Sequence, residues 1–203
     1  MYNHLLIYLT LNKILVENQF GFRQGHSTYV ALLKLVNDIT EELDKGNCSI
    51  GIFIDLSKAF DTVDHKLLLR KMEHYGIRGN ALLWFTSYLS CRTQYVSLNH
   101  TNSETLPVTC GVPQGSILGL LLFIIFINDI VNTSKIAEII MFADDTTLLF
   151  KHKELGVHHT TINVELAKIS QWFKLNKLSL NIKKQTTLFF EIEILQQLTR
   201  TLF

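Results

Sequence analysis

Two adjacent aspartates, Asp144 and Asp145, interrupt a stretch otherwise suited to a sheet, with IAEIIMF on one side and TTLLF on the other, within Ile136 to Phe150. Two β-prone runs this close together predict a hairpin with Ala143-Asp144-Asp145 at its tip. Like charges side by side repel, and a tip between hydrophobic strands tolerates them best when a cation offsets them. Successive side chains on a strand diverge, so one acid of the pair leads and a second strand must supply another carboxylate. Asp55 is the candidate. It closes SIGIFIDL (Ser49 to Leu56), an almost wholly apolar run entered from Gly46-Asn47, which suits a strand buried on both faces. A strand-end acid opposite a hairpin-tip acid can hold two Mg²⁺ ions about 3.5 to 4 Å apart for in-line phosphoryl chemistry. Asp-Asp is also ordinary turn chemistry, so spacing alone leaves a metal site and a plain turn both open.

The other periodicities surround these runs with helices. From Ser27 to Leu43, the positions Leu32, Leu35, Val36, Ile39 and Leu43 recur at intervals of three and four, the stripe of an amphipathic helix. Two helices are predicted after Asp55, one turning Leu68, Met72 and Tyr75 inward and one Leu82, Phe85 and Leu89, separated by the breakers Gly76 and Gly79. Thr93 to Leu98 alternates and can pair with Glu104 to Cys110. The Gly111-Val112-Pro113-Gln114-Gly115 loop then feeds an apolar helix from about Ser116 that reads as buried. A helix from Val157 to Asn176, with the stripe Ile162, Leu166, Ile169 and Phe173, and a strand over Thr186 to Phe190 complete a mixed α+β order. With 203 residues, no repeat and no Gly/Ser linker, one continuous domain is expected. At 47% hydrophobic and 18% charged residues, disorder, collagen and coiled coil are excluded.

Other chemistries find little support. Cys48, Cys91 and Cys110 form no CxxC pair, and their odd number argues against a disulfide framework or a zinc site, so all three are expected as small core residues. The eight histidines lack H-E-x-x-H spacing, and His158 and His159 point to different helix faces. Ser116 has no G-x-S-x-G elbow. The longest charge-free apolar run, Ile117 to Ile127, is about half of a bilayer span, and the start shows no basic leader or cleavage site; no membrane partner and an intracellular address are expected by default. Net charge is +1, but seven lysines against Glu154 and Glu165 between Lys151 and Lys184 suit either a phosphate backbone or a solvated face. Asp64 precedes an apolar helical run by the interval of an N-cap.

Five blocks then fall in one order: QFGFRQGHST (Gln19 to Thr28), FIDLSKAFDTVDH (Phe53 to His65), GVPQGSILG (Gly111 to Gly119), FADD (Phe142 to Asp145) and LSLNIKKQT (Leu178 to Thr186). They resemble the fingers block and motifs A, B, C and D of reverse transcriptases of the non-LTR (LINE-type) retrotransposon kind, and five collinear matches make chance negligible. The resemblance implies a polymerase palm with partial fingers, mixed helices packed on a small antiparallel sheet, over residues 1–190, with a tail at 191–203 that does not resemble the family. It implies RNA-directed DNA polymerase activity: two-metal nucleotidyl transfer to a primer 3′-hydroxyl, using Mg²⁺ (Mn²⁺ as a substitute), an RNA template, a DNA primer and deoxynucleoside triphosphates. By resemblance, Asp55 and Asp144 bind the metal ions, Asp145 assists, and the Leu56 carbonyl helps hold the nucleotide-bound metal. Phe60 lies under the incoming sugar and excludes a 2′-hydroxyl. Gln114 contacts the incoming nucleotide or the template, Lys184 approaches the triphosphate with Lys183 as its near neighbour, and Arg23 contacts template or supports the fingers.

The departures from the family carry expectations of their own. The chain begins just before QFGFR, without the upstream fingers segment that bears an Arg-Pro-Ile-Ser pattern, which predicts weak nucleotide binding in a fragment. Leu120 stands where motif B usually has proline, with a modest effect expected, and Gln185 separates Lys184 from Thr186 where the family reads Lys-Thr. Two alternatives to a working polymerase are a noncatalytic retroelement remnant with residual, salt-sensitive nucleic-acid binding and a metal-dependent phosphohydrolase, which would need neither Phe60 nor the motif B loop.

Overall fold

The apolar run that ends in Asp55 forms a central strand because its neighbours cover both of its edges, and residues of both its faces are buried, as the run predicts. The structure, a computed structural model, describes residues 1–153 and 159–190. In chain order the helices are α1 (Tyr2–Leu11), α2 (Thr28–Asp44), α3 (His65–His74), α4 (Gly79–Leu89), α5 (Ile117–Ile127) and α6 (His159–Leu175). The strands are β1 (Cys48–Ile54), β2 (Leu56–Ser57), β3 (Thr93–Gln94), β4 (Ser97–Leu98), β5 (Thr101–Asn102), β6 (Leu106–Pro107), β7 (Glu138–Phe142), β8 (Asp145–His152), β9 (Ser179–Leu180) and β10 (Thr186–Phe190). The chain divides into two compact units, residues 1–14 with 58–126 and residues 15–57 with 127–203. The α+β expectation is met, and no described helix is long and apolar enough to cross a membrane.

The unit of residues 15–57 and 127–203 is built on an antiparallel sheet in the order β10-β1-β8-β7. Helix α2 lays Ala31, Leu35 and Ile39 on it, in a cluster with Phe20, Ile140 and Leu149. That stripe is rotated from the expected one: Leu32 and Val36 are 58% and 48% exposed. Ala31 explains the rotation, because a small side chain lets the helix approach the sheet along the 31-35-39 row, which a reading weighted to large residues overlooks. Ser27 caps α2, its side chain accepting from the Val30 N–H at 3.3 Å. Lys34 of α2 lies 2.6 Å from Glu138 across the helix–sheet seam and 3.0 Å from Asp38 on its own helix, and Lys151 of β8 lies 2.7 Å from Glu138 of β7. Helix α6 buries Ile169, Trp172 and Phe173, while Ile162 and Leu166 stay half-buried. Its expected start at Val157 and the tail at 191–203 lie outside the described residues.

In the unit of residues 1–14 and 58–126, Leu9, Leu68, Met72, Phe85, Leu89 and Phe123 are fully buried. Asp64 caps α3 as expected, accepting from the Leu67 N–H at 2.9 Å. Helix α5 is buried along Leu121–Ile127, and Leu120, at the family's proline position, is its fourth residue, in the first turn. The expected hairpin between Thr93 and Cys110 forms as two short exposed ladders, β3 with β6 and β4 with β5. Cys48 is buried, but Cys91 and Cys110 are exposed. Those two flank the exposed hairpin, where a small apolar side chain finds no core to join.

Candidate active site at the end of the sheet

The hairpin predicted around the acid pair closes with Phe142 opposite Asp145, leaving Ala143 and Asp144 at the turn. Ala143 has φ +58°, the left-handed region that costs an L-residue roughly 1–2 kcal/mol. A positive φ at the first central residue matches the right-handed twist of the flanking strands, which is why tight hairpins select it.

Asp55 reaches the same end of the sheet because of how β1 stops. Its last partners across to β8 are Ile54 and Thr146, after which Leu56 and Ser57 leave the sheet as β2 to pair with β9. Asp55 sits at that fork, where the motif D segment holds it. The Asn181 N–H donates to the Asp55 carbonyl at 2.9 Å, the Asn181 side-chain amide donates to Asp55 Oδ2 at 2.8 Å, and Lys184 Nζ stands 3.6 Å from the same oxygen. A cleft of about 310 Å³ opens there, lined by Asp55, Asp145, Thr146 and Lys184 among others.

Electrostatics tie the three acids together. Partial desolvation, then the charges of Asp144 and Asp55, raise the Asp145 pKa above the ordinary aspartate value, against the pull of Lys184. A carboxylate held back from ionising by its neighbours is the donor set a divalent cation offsets. As placed, no three His, Cys, Asp or Glu side chains among the described residues converge tightly enough to enclose an ion; Asp55 is engaged by Asn181 and Lys184 instead. The residue types and their mutual repulsion fit a divalent ion.

Of the other residues singled out, Leu56 is buried in β2 and Lys183 is exposed beside Lys184. Phe60 and Gln114 belong to the other unit. The Phe60 ring packs on Phe123 with centroids 4.4 Å apart. Gln114 is exposed, and its amide donates to Asp61 Oδ1 at 2.6 Å. A cleft of about 600 Å³ in that unit is lined by Asp61 and Gln114, with Lys58 and Arg92 adding positive charge. Arg23 is occupied by its own loop, donating to the Val16 and Gln19 carbonyls at 2.6 and 3.1 Å, which favours the supporting role over a template contact. Within the lysine-rich stretch, Lys151 pairs with Glu138 and Lys168 with Glu165, so the charge available to a partner is smaller than the count suggests.

Two residues of this site escape sequence reasoning. Asn181 reads as turn chemistry, and nothing local shows that it reaches 126 positions back to Asp55. Gln19 reads as one polar residue in a fingers block, yet it is 1% exposed and bonded to Ala143 at the hairpin turn. The available signal was a polar residue directly ahead of the Phe20-Gly21 pair, in a segment with no amphipathic period to place it.

Residues 2–198 match the family described as reverse transcriptase (RNA-dependent DNA polymerase). Similar proteins include the RNA-directed DNA polymerase from mobile element jockey of Drosophila melanogaster, 31% identical over 93% of this chain and 21% of the relative. Another is the probable RNA-directed DNA polymerase from transposon BS of the same organism, 30% identical over 97% of this chain and 22% of the relative. The chain therefore spans about a fifth of the length of these relatives. Among solved structures, Candida tropicalis telomerase in complex with a telomeric RNA fragment superimposes with TM-score 0.69 at 14% identity, covering 93% of this chain and 33% of that one. The apo telomerase truncated from its C-terminal domain gives 0.67 at 15% identity, covering 92% and 39%. At that identity the likeness establishes the fold.

Proposed function

The chain belongs to the reverse transcriptase (RNA-dependent DNA polymerase) family, of the non-LTR retrotransposon kind, and on that premise we propose that residues 1–190 act as an RNA-directed DNA polymerase domain that extends a DNA primer on an RNA template. The observation that supports this reading is that Asp55, just past the end of β1, and Asp144 and Asp145, at the tip of β7–β8, lie at one end of one sheet, where the charges of Asp144 and Asp55 act on Asp145.

In this reading Asp55, Asp144 and the Leu56 carbonyl hold Mg²⁺, or Mn²⁺ in its place, and Asp145 assists. When bound, the divalent ions lower the pKa of the primer 3′-hydroxyl and neutralise charge developing on the triphosphate. Asn181 holds Asp55 at the cleft through its backbone carbonyl and Oδ2. Lys184, now spanning to Asp55, turns to the triphosphate and stands ready to give a proton to departing pyrophosphate. Phe60, held against Phe123, presents a rigid ring to the sugar and selects deoxynucleotides by clash with a 2′-hydroxyl. Gln114, steadied by Asp61, contacts the incoming nucleotide or the template.

Primer extension on an RNA template with deoxynucleoside triphosphates and Mg²⁺ tests the proposal directly. The chain should extend the primer and Asp144→Ala should not; equal background in both would leave the noncatalytic, nucleic-acid-binding remnant as the reading. Phosphate release without extension would point to hydrolysis.

A further inference from the structure

The hairpin turn that carries the acid pair is strained at a buried alanine and gripped from a distant part of the chain. Ala143 is 5% exposed with φ +58°, a conformation that persists in a non-glycine residue only where its surroundings over-determine it. Buried backbone groups at such a turn also need partners that the hairpin itself does not supply. The Gln19 side chain supplies them: Oε1 accepts from the Ala143 N–H at 3.1 Å and from the Gly21 N–H at 2.8 Å, and Nε2 donates to the Ala143 carbonyl at 3.4 Å. Gln19 is itself held in place. Its backbone lies beside the outer edge of β7, where the Met141 N–H donates to the Asn18 carbonyl and the Phe20 N–H to the Met141 carbonyl, each at 2.8 Å. Gly21 completes the fit, because a Cβ at that position would collide with the Ala143 backbone nitrogen.

We propose that Gln19 is a positioning residue for Asp144 and Asp145: its amide, admitted by Gly21, grips both backbone groups of Ala143 and fixes the left-handed turn that aims the two carboxylates. The inference rests on the reading of those acids as members of the ion-holding set. A generic core polar residue has no reason to bond both the donor and the acceptor of one strained alanine adjacent to them. Fixing the turn before the ion arrives removes conformational freedom that binding must otherwise overcome, so the benefit appears in ion affinity and turnover more than in nucleotide binding.

The test uses the full 203-residue chain and two variants. Gln19→Met keeps the length and removes donor and acceptor; Gln19→Glu keeps the acceptors and removes the donor. Three quantities are read: hydrogen exchange of the Ala143 amide by NMR, Mn²⁺ affinity by water proton relaxation, and primer extension resolved into kcat and KM. In Gln19→Met the Ala143 amide should exchange at least about tenfold faster, because its one described partner is gone. Mn²⁺ affinity and kcat should each fall about tenfold, with the KM for deoxynucleotide changed less than about twofold. Gln19→Glu should retain most of the Ala143 protection and show a smaller loss of Mn²⁺ affinity. A folded Gln19→Met with unchanged Ala143 exchange or unchanged Mn²⁺ affinity overturns the proposal. If Gln19→Met does not fold, Gln19→Glu decides, and Mn²⁺ affinity equal to the parent chain overturns it. Asp144→Ala separates this outcome from failure of the active-site reading: should it leave Mn²⁺ affinity intact, the acids are not the ion site, while Ala143 exchange in Gln19→Met still reports whether the grip exists.

Discussion

Two hairpins in this molecule use backbone strain at their tips, and they use it differently. In the outer one the tip residues Asn99 and His100 both have positive φ, +46° and +63°, and every strand residue from β3 to β6 is exposed. Asn is among the residues that adopt the left-handed region most readily, and water satisfies the open backbone groups. In the β7–β8 hairpin the strained residue is a buried alanine, and a glutamine 124 positions away supplies its partners. Strain that solvent can accommodate closes a turn and little more. Strain that needs a distant clamp, beside two repelling carboxylates, marks a backbone held for a purpose.

The largest expected effect separates the tips by function. Asp144→Asn should lower primer extension at least about a hundredfold, since it removes a charge from the ion-holding set. His100→Gly should leave the extension rate within about twofold, because His100 has no role in the proposed chemistry. A similar loss in both variants would erase the distinction. Next in size is the tolerance of the backbone segment that grips the β7–β8 tip. Gly21→Ala drives a Cβ into the Ala143 backbone and should cost about 2–3 kcal/mol in urea unfolding. Gly25→Ala, in the same segment, meets nothing within 4 Å and bears only the cost of φ +76°, about 1 kcal/mol.

The two ends of the β7–β8 hairpin should also answer pH in opposite senses. At the tip, the Asp145 pKa is raised by partial desolvation and by Asp144 and Asp55, so the folded state holds its proton more tightly than the unfolded one. The resulting penalty is absent below the ordinary aspartate range, near about 3.9, and grows as pH rises through the folded value. Asp145→Asn should therefore raise Tm slightly at neutral pH without Mg²⁺ and make no difference in acid. At the base, burial raises the Glu138 pKa, but hydrogen bonds from Lys151 and Lys34 outweigh it and the net direction is down. Its contribution is present above the unfolded glutamate value, near about 4.3, and is lost as pH falls through the folded one. Glu138→Gln should lower stability at neutral pH by up to about 1 kcal/mol and the difference should close in acid. Thermal melts across pH read both signs.

What was legible in the sequence follows from the range of each interaction. The acid pair at a hairpin tip, the acid at the end of a buried strand, the Asp64 cap and the β10 strand all depend on neighbours a few residues away, and each appears where the residues place it. The rotated face of α2 does not, because Ala31 contributes by being small, a signal that a stripe of large side chains hides. Cys91 and Cys110 lie outside the core for the converse reason: apolar character says nothing of whether a core lies within reach. The Asn181 and Gln19 contacts span more than a hundred positions, and no local pattern encodes a partner at that distance. The supporting groups of the candidate site are thus its least readable part, although the acids themselves stand out.

The smallest effect discriminates most finely between the two tips, because it applies one chemical change to both. His100→Gly places glycine after Asn99, the dipeptide that a two-residue turn with two positive φ angles prefers, and should stabilise the fold by about 0.5–1 kcal/mol. Ala143→Gly relieves the same kind of strain and should gain a similar amount in urea unfolding, with the Gln19 hydrogen bonds to its backbone still available. Glycine also widens the conformations open to the turn, so the carboxylates beside it lose definition. Stability should rise in both variants, but Mn²⁺ affinity should fall only in Ala143→Gly, by a factor of about two to five. Equal gains with no loss of affinity would mean that the alanine restricts nothing that matters, and that the two tips differ only in what surrounds them.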